Sequence, residues 1–119
     1  IWNLLDSLGQ KKLEKAMIHY NNLYTNGNSL VPILISLYNF YSELINLYNS
    51  QEKSTYSTLN KILQSRMNRY KTKYKENEIL NIFLILRNID INIKTNVINE
   101  KILFSSIIIK ICNGFYDKK

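Results

Sequence analysis

The segment SLVPILISLYNFYSELINLY (residues 29–48) decides the fold, because it is apolar on more than one side of a helix. Ser29 is a suitable N-cap, and Pro32 falls in the first turn, where its missing N–H leaves no helical hydrogen bond unmade. Two apolar stripes run along this helix: Leu34, Leu37, Tyr41, Leu44 and Tyr48 form one, and Ile33, Phe40 and Leu47 form the other. Such a helix is either central in its own domain or buried against a second chain.

Helical periodicity extends over most of the remaining chain, and strict alternation of apolar and polar residues is almost absent. The sequence therefore predicts an all-α fold, a compact bundle of about five to six helices. Gly9 is the predicted C-terminal cap of the first helix, because glycine takes the left-handed conformation without strain, and Asn26-Gly27 is the predicted end of the second. The predicted helices cover about 1–8, 10–25, 29–48, 56–73, 76–95 and 99–112, with a polar and mobile loop at 49–55 and a frayed tail at 115–119.

Length and composition favour a single cytoplasmic domain. A chain of 119 residues is long enough for one core, so one helical domain is predicted over residues 1–119. Apolar runs such as IFLIL (82–86) and SSIIIKIC (105–112) are interrupted by charge well before the roughly 20 residues that a bilayer span requires. The lone Cys112 has no partner for an internal disulfide and is predicted to be a small core residue.

The sequence offers little for catalysis, cofactors or metals. A phosphate cradle needs clustered glycines, but Gly9, Gly27 and Gly114 are isolated. A zinc site needs several Cys or His ligands, and the chain has only His19 and Cys112. Those two residues leave a Cys-His nucleophilic pair as a remote alternative, because such partners meet in space rather than in sequence. The sequence predicts no catalytic, cofactor-binding or metal-binding residues.

The residues Arg87, Asp90 and Lys94 form a polar stripe on an otherwise apolar helix. At spacings of three and four they can form two intrahelical ion pairs, each contributing about 0.2–0.5 kcal/mol when exposed. The alternative is that these charges fix a partner or a neighbouring helix, because partly buried charges need defined partners.

Residues 61–75 form a basic run, a segment with several lysines and arginines. Within a stretch that contains no acidic residue lie Lys61, Arg66, Arg69, Lys71, Lys73 and Lys75, and the chain as a whole carries a net charge of +7. One interpretation is a solvated face that keeps an Ile-rich protein in solution. The other is contact with a nucleic-acid backbone, with Tyr70 and Tyr74 stacking on unpaired bases.

Short motifs along the chain resemble a known family. The first is Trp2-Asn3-Leu4-Leu5-Asp6-Ser7-Leu8-Gly9, followed by Leu13, Lys15-Ala16, Leu23 and Gly27. Later motifs are Pro32-Ile33-Leu34-Ile35-Ser36-Leu37 with Phe40 and Leu44, then Tyr74, Leu80 and Leu86, then Asp90-Ile91-Asn92-Ile93-Lys94-Thr95, and finally Lys110-Ile111-Cys112. In this order they resemble the C-terminal domain of the DNA polymerase III delta subunit. The sequence departs from the family pattern at Ser7, where alanine is usual, and at Tyr41, where many members carry arginine.

This resemblance implies a non-catalytic part of the bacterial clamp loader, which uses ATP to place the sliding clamp on primed DNA during replication. The domain would be one part of a ring-shaped collar that joins delta to the gamma/tau and delta-prime subunits. An AAA+-like N-terminal part, which contacts the clamp, would precede it, in agreement with a chain that begins at Ile1. The residues predicted at the subunit interface are Ile33, Phe40, Leu47, Arg87, Asp90 and Lys94. Collar domains of gamma/tau or delta-prime are the nearest rival families, and a helical nucleic-acid-binding module acting through residues 61–75 is the alternative function.

Overall fold

Six α-helices make up the regular structure of the described residues. The computed structural model describes residues 2–50, 61–95 and 100–113, and the side chains of 48–50 and 92–95 lie outside this description. The helices are α1 (Trp2–Gly9), α2 (Leu13–Thr25), α3 (Leu30–Ser50), α4 (Lys61–Lys71), α5 (Glu76–Thr95) and α6 (Glu100–Asn113). This architecture confirms the predicted all-α bundle.

The end of α1 differs from the prediction that Gly9 takes the left-handed conformation. That conformation belongs to Lys11, whose φ is 57°. The Lys12 N–H donates to the Ser7 carbonyl at 2.9 Å and the Lys11 N–H donates to the Leu8 carbonyl at 3.0 Å, the hydrogen-bond pattern of a Schellman cap. The prediction was wrong because Gly9 is required for close packing, described below, and not for its φ.

The end of α2 agrees with the prediction at Asn26-Gly27. Gly27 has a φ of 88°, and the Asn28 N–H donates to the Leu23 carbonyl at 3.0 Å. Here glycine does occupy the position that needs a left-handed backbone, so the turn ends α2 and directs the chain into α3.

The helix α3 packs against α4 and α5. Both predicted stripes are buried as far as their side chains are described, from Ile33 and Leu34 to Leu44 and Leu47. By length and composition alone, the window Leu30–Leu47 could cross a membrane, but 44% of it is buried inside the protein. Its two buried stripes are those of a core helix.

Several predicted boundaries shift by a few residues. The helix α2 begins at Leu13 rather than near Gln10, and α3 continues through Ser50 into the segment predicted as a loop. The helix α4 ends at Lys71, and just after it the Lys73 N–H donates a hydrogen bond to the Tyr70 carbonyl at 2.8 Å. The rest of the predicted loop, the predicted start of α4 at Tyr56, the predicted Asn99 cap and the predicted tail lie outside the described residues.

The remaining helices complete one core around α1 and α3. The helix α1 packs against α2, α4 and α6, while α6 also packs against α2 and α5. Aromatic rings fill the space between these helices: Tyr20 and Phe104 lie 4.4 Å apart between ring centroids, and Phe40 and Tyr70 lie 5.4 Å apart. These contacts join α2 to α6 and α3 to α4.

Candidate subunit interface

A polar cluster joins the end of α1 to α4. The Asp6 carboxylate lies at its centre, where Oδ1 accepts a hydrogen bond from the Tyr70 hydroxyl at 2.5 Å and lies 3.0 Å from the Arg66 guanidinium. The other oxygen, Oδ2, accepts a hydrogen bond from the Gln10 side-chain amide at 2.9 Å. The aspartate of the first family motif therefore holds two helices together.

The environment of Asp6 favours its ionised form. Burial tends to raise the pKa of this carboxyl, but its hydrogen bonds, the first from Tyr70, and the charge of Arg66 outweigh burial and hold the pKa below its ordinary value. Burial raises the pKa of the Tyr70 hydroxyl, and the Asp6 charge raises it further. At neutral pH a tyrosine hydroxyl thus donates to a carboxylate.

The small residues of the same motif leave room for these contacts. Ser7 is buried, and its hydroxyl donates to the Asn3 carbonyl at 2.9 Å, so a hydroxyl is satisfied where the family usually has alanine. A Cβ built on Gly9 would lie 2.7 Å from Cδ1 of Tyr70. Gly9 therefore gives the Tyr70 ring its place against α1.

A second polar cluster connects the turn after α1 to the start of α5. Glu78 is only 6% exposed, and its Oε2 lies 2.6 Å from the Lys11 Nζ. Its Oε1 accepts the Lys75 backbone N–H at 2.7 Å, which caps the N-terminus of α5. Both oxygens of this buried carboxylate are therefore satisfied.

Tyr41, the other departure from the family pattern, belongs to the core. It is fully buried, and its hydroxyl lies 2.8 Å from that of Tyr74. The Tyr74 hydroxyl donates to the Leu8 carbonyl, and the Lys11 ammonium lies 4.6 Å from the centroid of the Tyr74 ring. Tyr41 is thus connected to the end of α1 through the Tyr74 hydroxyl.

Three of the six predicted interface residues lie in the core. Ile33, Phe40 and Leu47 are 3%, 0% and 7% exposed. They satisfy the alternative in which α3 is central in its own domain, and this burial does not favour a direct contact from them to another chain.

The polar stripe of α5 lies at the surface instead. Arg87 is exposed and Asp90 is half-buried, while the Lys94 side chain lies outside the described residues. The predicted ion pairs of this stripe therefore stay predictions.

A groove between α3 and α5 has a volume of about 660 Å³. We call it the α3–α5 groove; among the residues that line it are Val31, Ile35, Tyr38, Leu86, Arg87 and Asp90. Ile35 is 57% exposed and Tyr38 is 49% exposed, so much of the wall formed by α3 is apolar and open to solvent. The structure thus brings two predicted interface residues, Arg87 and Asp90, together with an apolar face.

Sequence reasoning missed the stripe Val31, Ile35 and Tyr38. These residues have the i, i+4, i+7 spacing of one helix face. The available signal was that the first half of α3 has almost no polar residue, so that an apolar face remains after the core is filled.

The basic run divides into two groups. Arg66 is bound to Asp6, and the Lys71 ammonium lies 3.4 Å from the Leu47 carbonyl. The other four cations are exposed: Lys61, Arg69, Lys73 and Lys75. The interpretation of Tyr70 and Tyr74 as stacking platforms for bases was wrong, because both are buried and their hydroxyls bind within the protein.

The two side chains considered for a Cys-His pair, Cys112 and His19, lie on α6 and α2. Burial raises the pKa of the Cys112 thiol to about 11, so it is protonated at neutral pH. No cluster of three or more His, Cys, Asp or Glu residues suited to a metal ion occurs in the described part of the chain. His19 is half-buried on α2.

The fold and its surfaces define a small helical domain with an open apolar groove. The family model for the DNA polymerase III delta subunit, C-terminal domain, matches residues 1–111, and the chain belongs to this family. The match favours the delta family over the rival collar families. No curated protein and no solved structure matches the chain.

Proposed function

We propose that this chain is the collar domain of a clamp-loader delta subunit and that its role is oligomerisation. Its partners are the gamma/tau and delta-prime subunits, and the assembly acts in the cytoplasm to place the sliding clamp on primed DNA. The domain itself is not catalytic. It forms one unit over residues 1–119, and an AAA+-like part that precedes it in the full-length protein contacts the clamp.

The observation that carries this proposal is the apolar surface around the α3–α5 groove. Large apolar side chains are exposed on both helices, including Ile35 on α3 and Leu84 on α5, at 57% and 58%. Monomeric proteins rarely leave contiguous apolar patches of this kind uncovered, and such patches mark binding surfaces. In a member of the delta family, burying this surface against another subunit is the simplest use for it.

Size-exclusion chromatography with light scattering tests the proposal. The chain is run alone and then mixed with the matching gamma/tau and delta-prime collar domains, with circular dichroism confirming that each is folded. We expect a complex of defined mass with at least one of them. Separate elution of the folded components at micromolar concentration would contradict the proposal.

A second candidate function is binding to a nucleic-acid backbone. It is favoured by the exposed Lys61, Arg69, Lys73 and Lys75, which lie in a segment with no acidic residue. Such contacts provide affinity by releasing counterions and do not read sequence. Fluorescence anisotropy with single-stranded and primed DNA tests it. Replacing Lys61, Arg69 and Lys73 together by glutamine should abolish binding. Replacing Lys12 and Lys15, at the start of α2, by glutamine should not.

A further inference from the structure

Among the described side chains beside the α3–α5 groove, one cation lies within an apolar stripe. On α5, Leu80, Leu84, Arg87 and Ile91 follow one another at spacings of four, three and four, so they share one face of the helix. The three apolar residues of this stripe are 47–58% exposed. Arg87 also lines the groove, so the stripe and the groove form one continuous surface.

The opposite wall of the groove is also apolar. Val31, Ile35 and Tyr38 occupy it, and the Tyr38 ring lies 5.1 Å from the Phe83 ring of α5 between centroids. From Leu80 to Ile91 the α5 stripe is about 16 Å long at 1.5 Å per residue. This length matches about three turns of a partner helix that contributes apolar residues at i, i+3 or i+4, and i+7.

Charge selects the kind of helix that fits. An exposed guanidinium at the centre of an apolar surface is best matched by a carboxylate, which binds it in a planar and often bidentate geometry. Asp90 lies about one turn further along the same wall, so along this wall a negative side chain follows the positive one. A partner acid therefore fits in one register, beside Arg87 and away from Asp90.

The same charges argue against a second copy of this chain as the occupant. The net charge is +7, so two copies repel each other over the short distances that matter at physiological ionic strength. An acidic helix gains from this field in both affinity and association rate.

We infer that the α3–α5 groove binds an amphipathic helix from a neighbouring clamp-loader subunit, with an apolar ridge in the groove and a glutamate or aspartate against Arg87. This inference rests on the proposed function and adds to it the surface that binds the partner and the kind of helix that the partner contributes. The ridge contributes most of the affinity, and the carboxylate fixes the register.

Substitutions in the complex with the gamma/tau or delta-prime collar domain test the inference. Ile35→Glu and Arg87→Glu should each raise the dissociation constant by about tenfold or more. Ile35→Glu places an unpaired charge at the centre of the interface, and Arg87→Glu places a charge there that the partner's carboxylate repels. The matched controls lie on α2: Ile18→Glu replaces an isoleucine of the same 57% exposure, and Lys15→Glu makes the same charge change as Arg87→Glu. Both should leave the dissociation constant within about twofold, the scatter for distant surface changes.

Photo-cross-linking identifies the occupant. A photoreactive phenylalanine analogue at position 35 should cross-link to a helical segment of the partner that contains an acidic residue, and one at position 18 should not. Changing that acid to arginine should restore binding to Arg87→Glu. A complex insensitive to Ile35→Glu and Arg87→Glu, or a cross-link to a second copy, overturns the inference but leaves the proposed function standing; failure of the parent chain to form any complex overturns both.

Discussion

Gly9 shows how a single residue in the family motif can be required for packing. Helix propensity alone favours alanine over glycine by up to about 1 kcal/mol. A Cβ at this position, however, would lie 2.7–2.9 Å from three atoms of the Tyr70 ring, which is 1% exposed and held by Asp6. We expect Gly9→Ala to lower the free energy of unfolding by about 1–3 kcal/mol, as overpacking does.

Urea denaturation followed by circular dichroism measures this effect. Asn68→Ala, at an exposed position of α4, is the control for helix propensity and should leave stability unchanged or slightly higher. A Gly9→Ala protein as stable as its parent would show that the Tyr70 ring moves away at little cost.

Asp6 makes stability depend on pH at the acidic end. Because the pKa of Asp6 in the folded state lies below its ordinary value of 3.8, its contribution is fully present above that value and is lost as the pH falls through the folded-state pKa. We expect Asp6→Asn to lower the free energy of unfolding at pH 7 by about 1–2 kcal/mol, through loss of charge-assisted hydrogen bonds. The difference from the parent should shrink as the pH is lowered below 3.8.

Unfolding curves at pH 7 and pH 3 test this prediction. Glu14→Gln removes a charge from an exposed site on α2 and should have little effect at either pH. If Asp6→Asn lowered the free energy of unfolding by the same amount at pH 7 and at pH 3, its effect would come from altered packing or hydrogen-bond geometry rather than from the charge of Asp6.

At the scale of elements, the turn between α1 and α2 depends on the start of α5. Lys11 adopts a left-handed backbone that costs a non-glycine residue about 1–2 kcal/mol, and its ammonium binds the buried Glu78. We expect Lys11→Met and Glu78→Gln each to destabilise the protein and the double variant to lose less than their sum. A coupling of about 0.5–2 kcal/mol is the expected range for a partly buried pair in direct contact.

A double-mutant cycle in urea measures this coupling. The control cycle replaces Lys11→Met by Lys12→Met, because Lys12 is adjacent in sequence but exposed. Coupling in the Lys11 cycle no larger than in the Lys12 cycle would mean that the ion pair does not join these elements.

The elements also show what sequence can and cannot predict. The end of α2 and the start of α5 carry local signals, Asn26-Gly27 and Glu76 with Glu78, and both were predicted correctly. Gly9 was assigned the wrong role because its reason is Tyr70, a partner distant in sequence. Likewise, Ile33 and Ile35 are equally apolar residues, yet Ile33 is buried and Ile35 is open to solvent, a difference that depends on how α3 packs in the bundle.

At the scale of the whole molecule, the charge distribution separates the two candidate functions. The net charge of +7 includes four exposed cations of the basic run, whereas the described surface around the α3–α5 groove is mostly apolar, with Arg87 as the cation of its α5 stripe. Binding through four phosphate contacts should weaken with a log–log salt slope of about −3.6, or roughly 300-fold between 0.1 and 0.5 M salt. Apolar burial changes little over this range, and one ion pair adds only a modest dependence.

We therefore expect the complex with a collar partner to weaken by about tenfold or less between 0.1 and 0.5 M sodium chloride. Isothermal titration calorimetry across this range measures it, and the same titration supplies the heat-capacity change, which should be negative because apolar surface is buried. Arg87→Gln should flatten the remaining salt dependence, since it removes the charge beside the groove, while Arg69→Gln should leave it unchanged. A steep dependence whose slope falls by about one on Arg69→Gln would instead place the contact on the basic run, and the α3–α5 groove would then not be the surface on which the assembly depends.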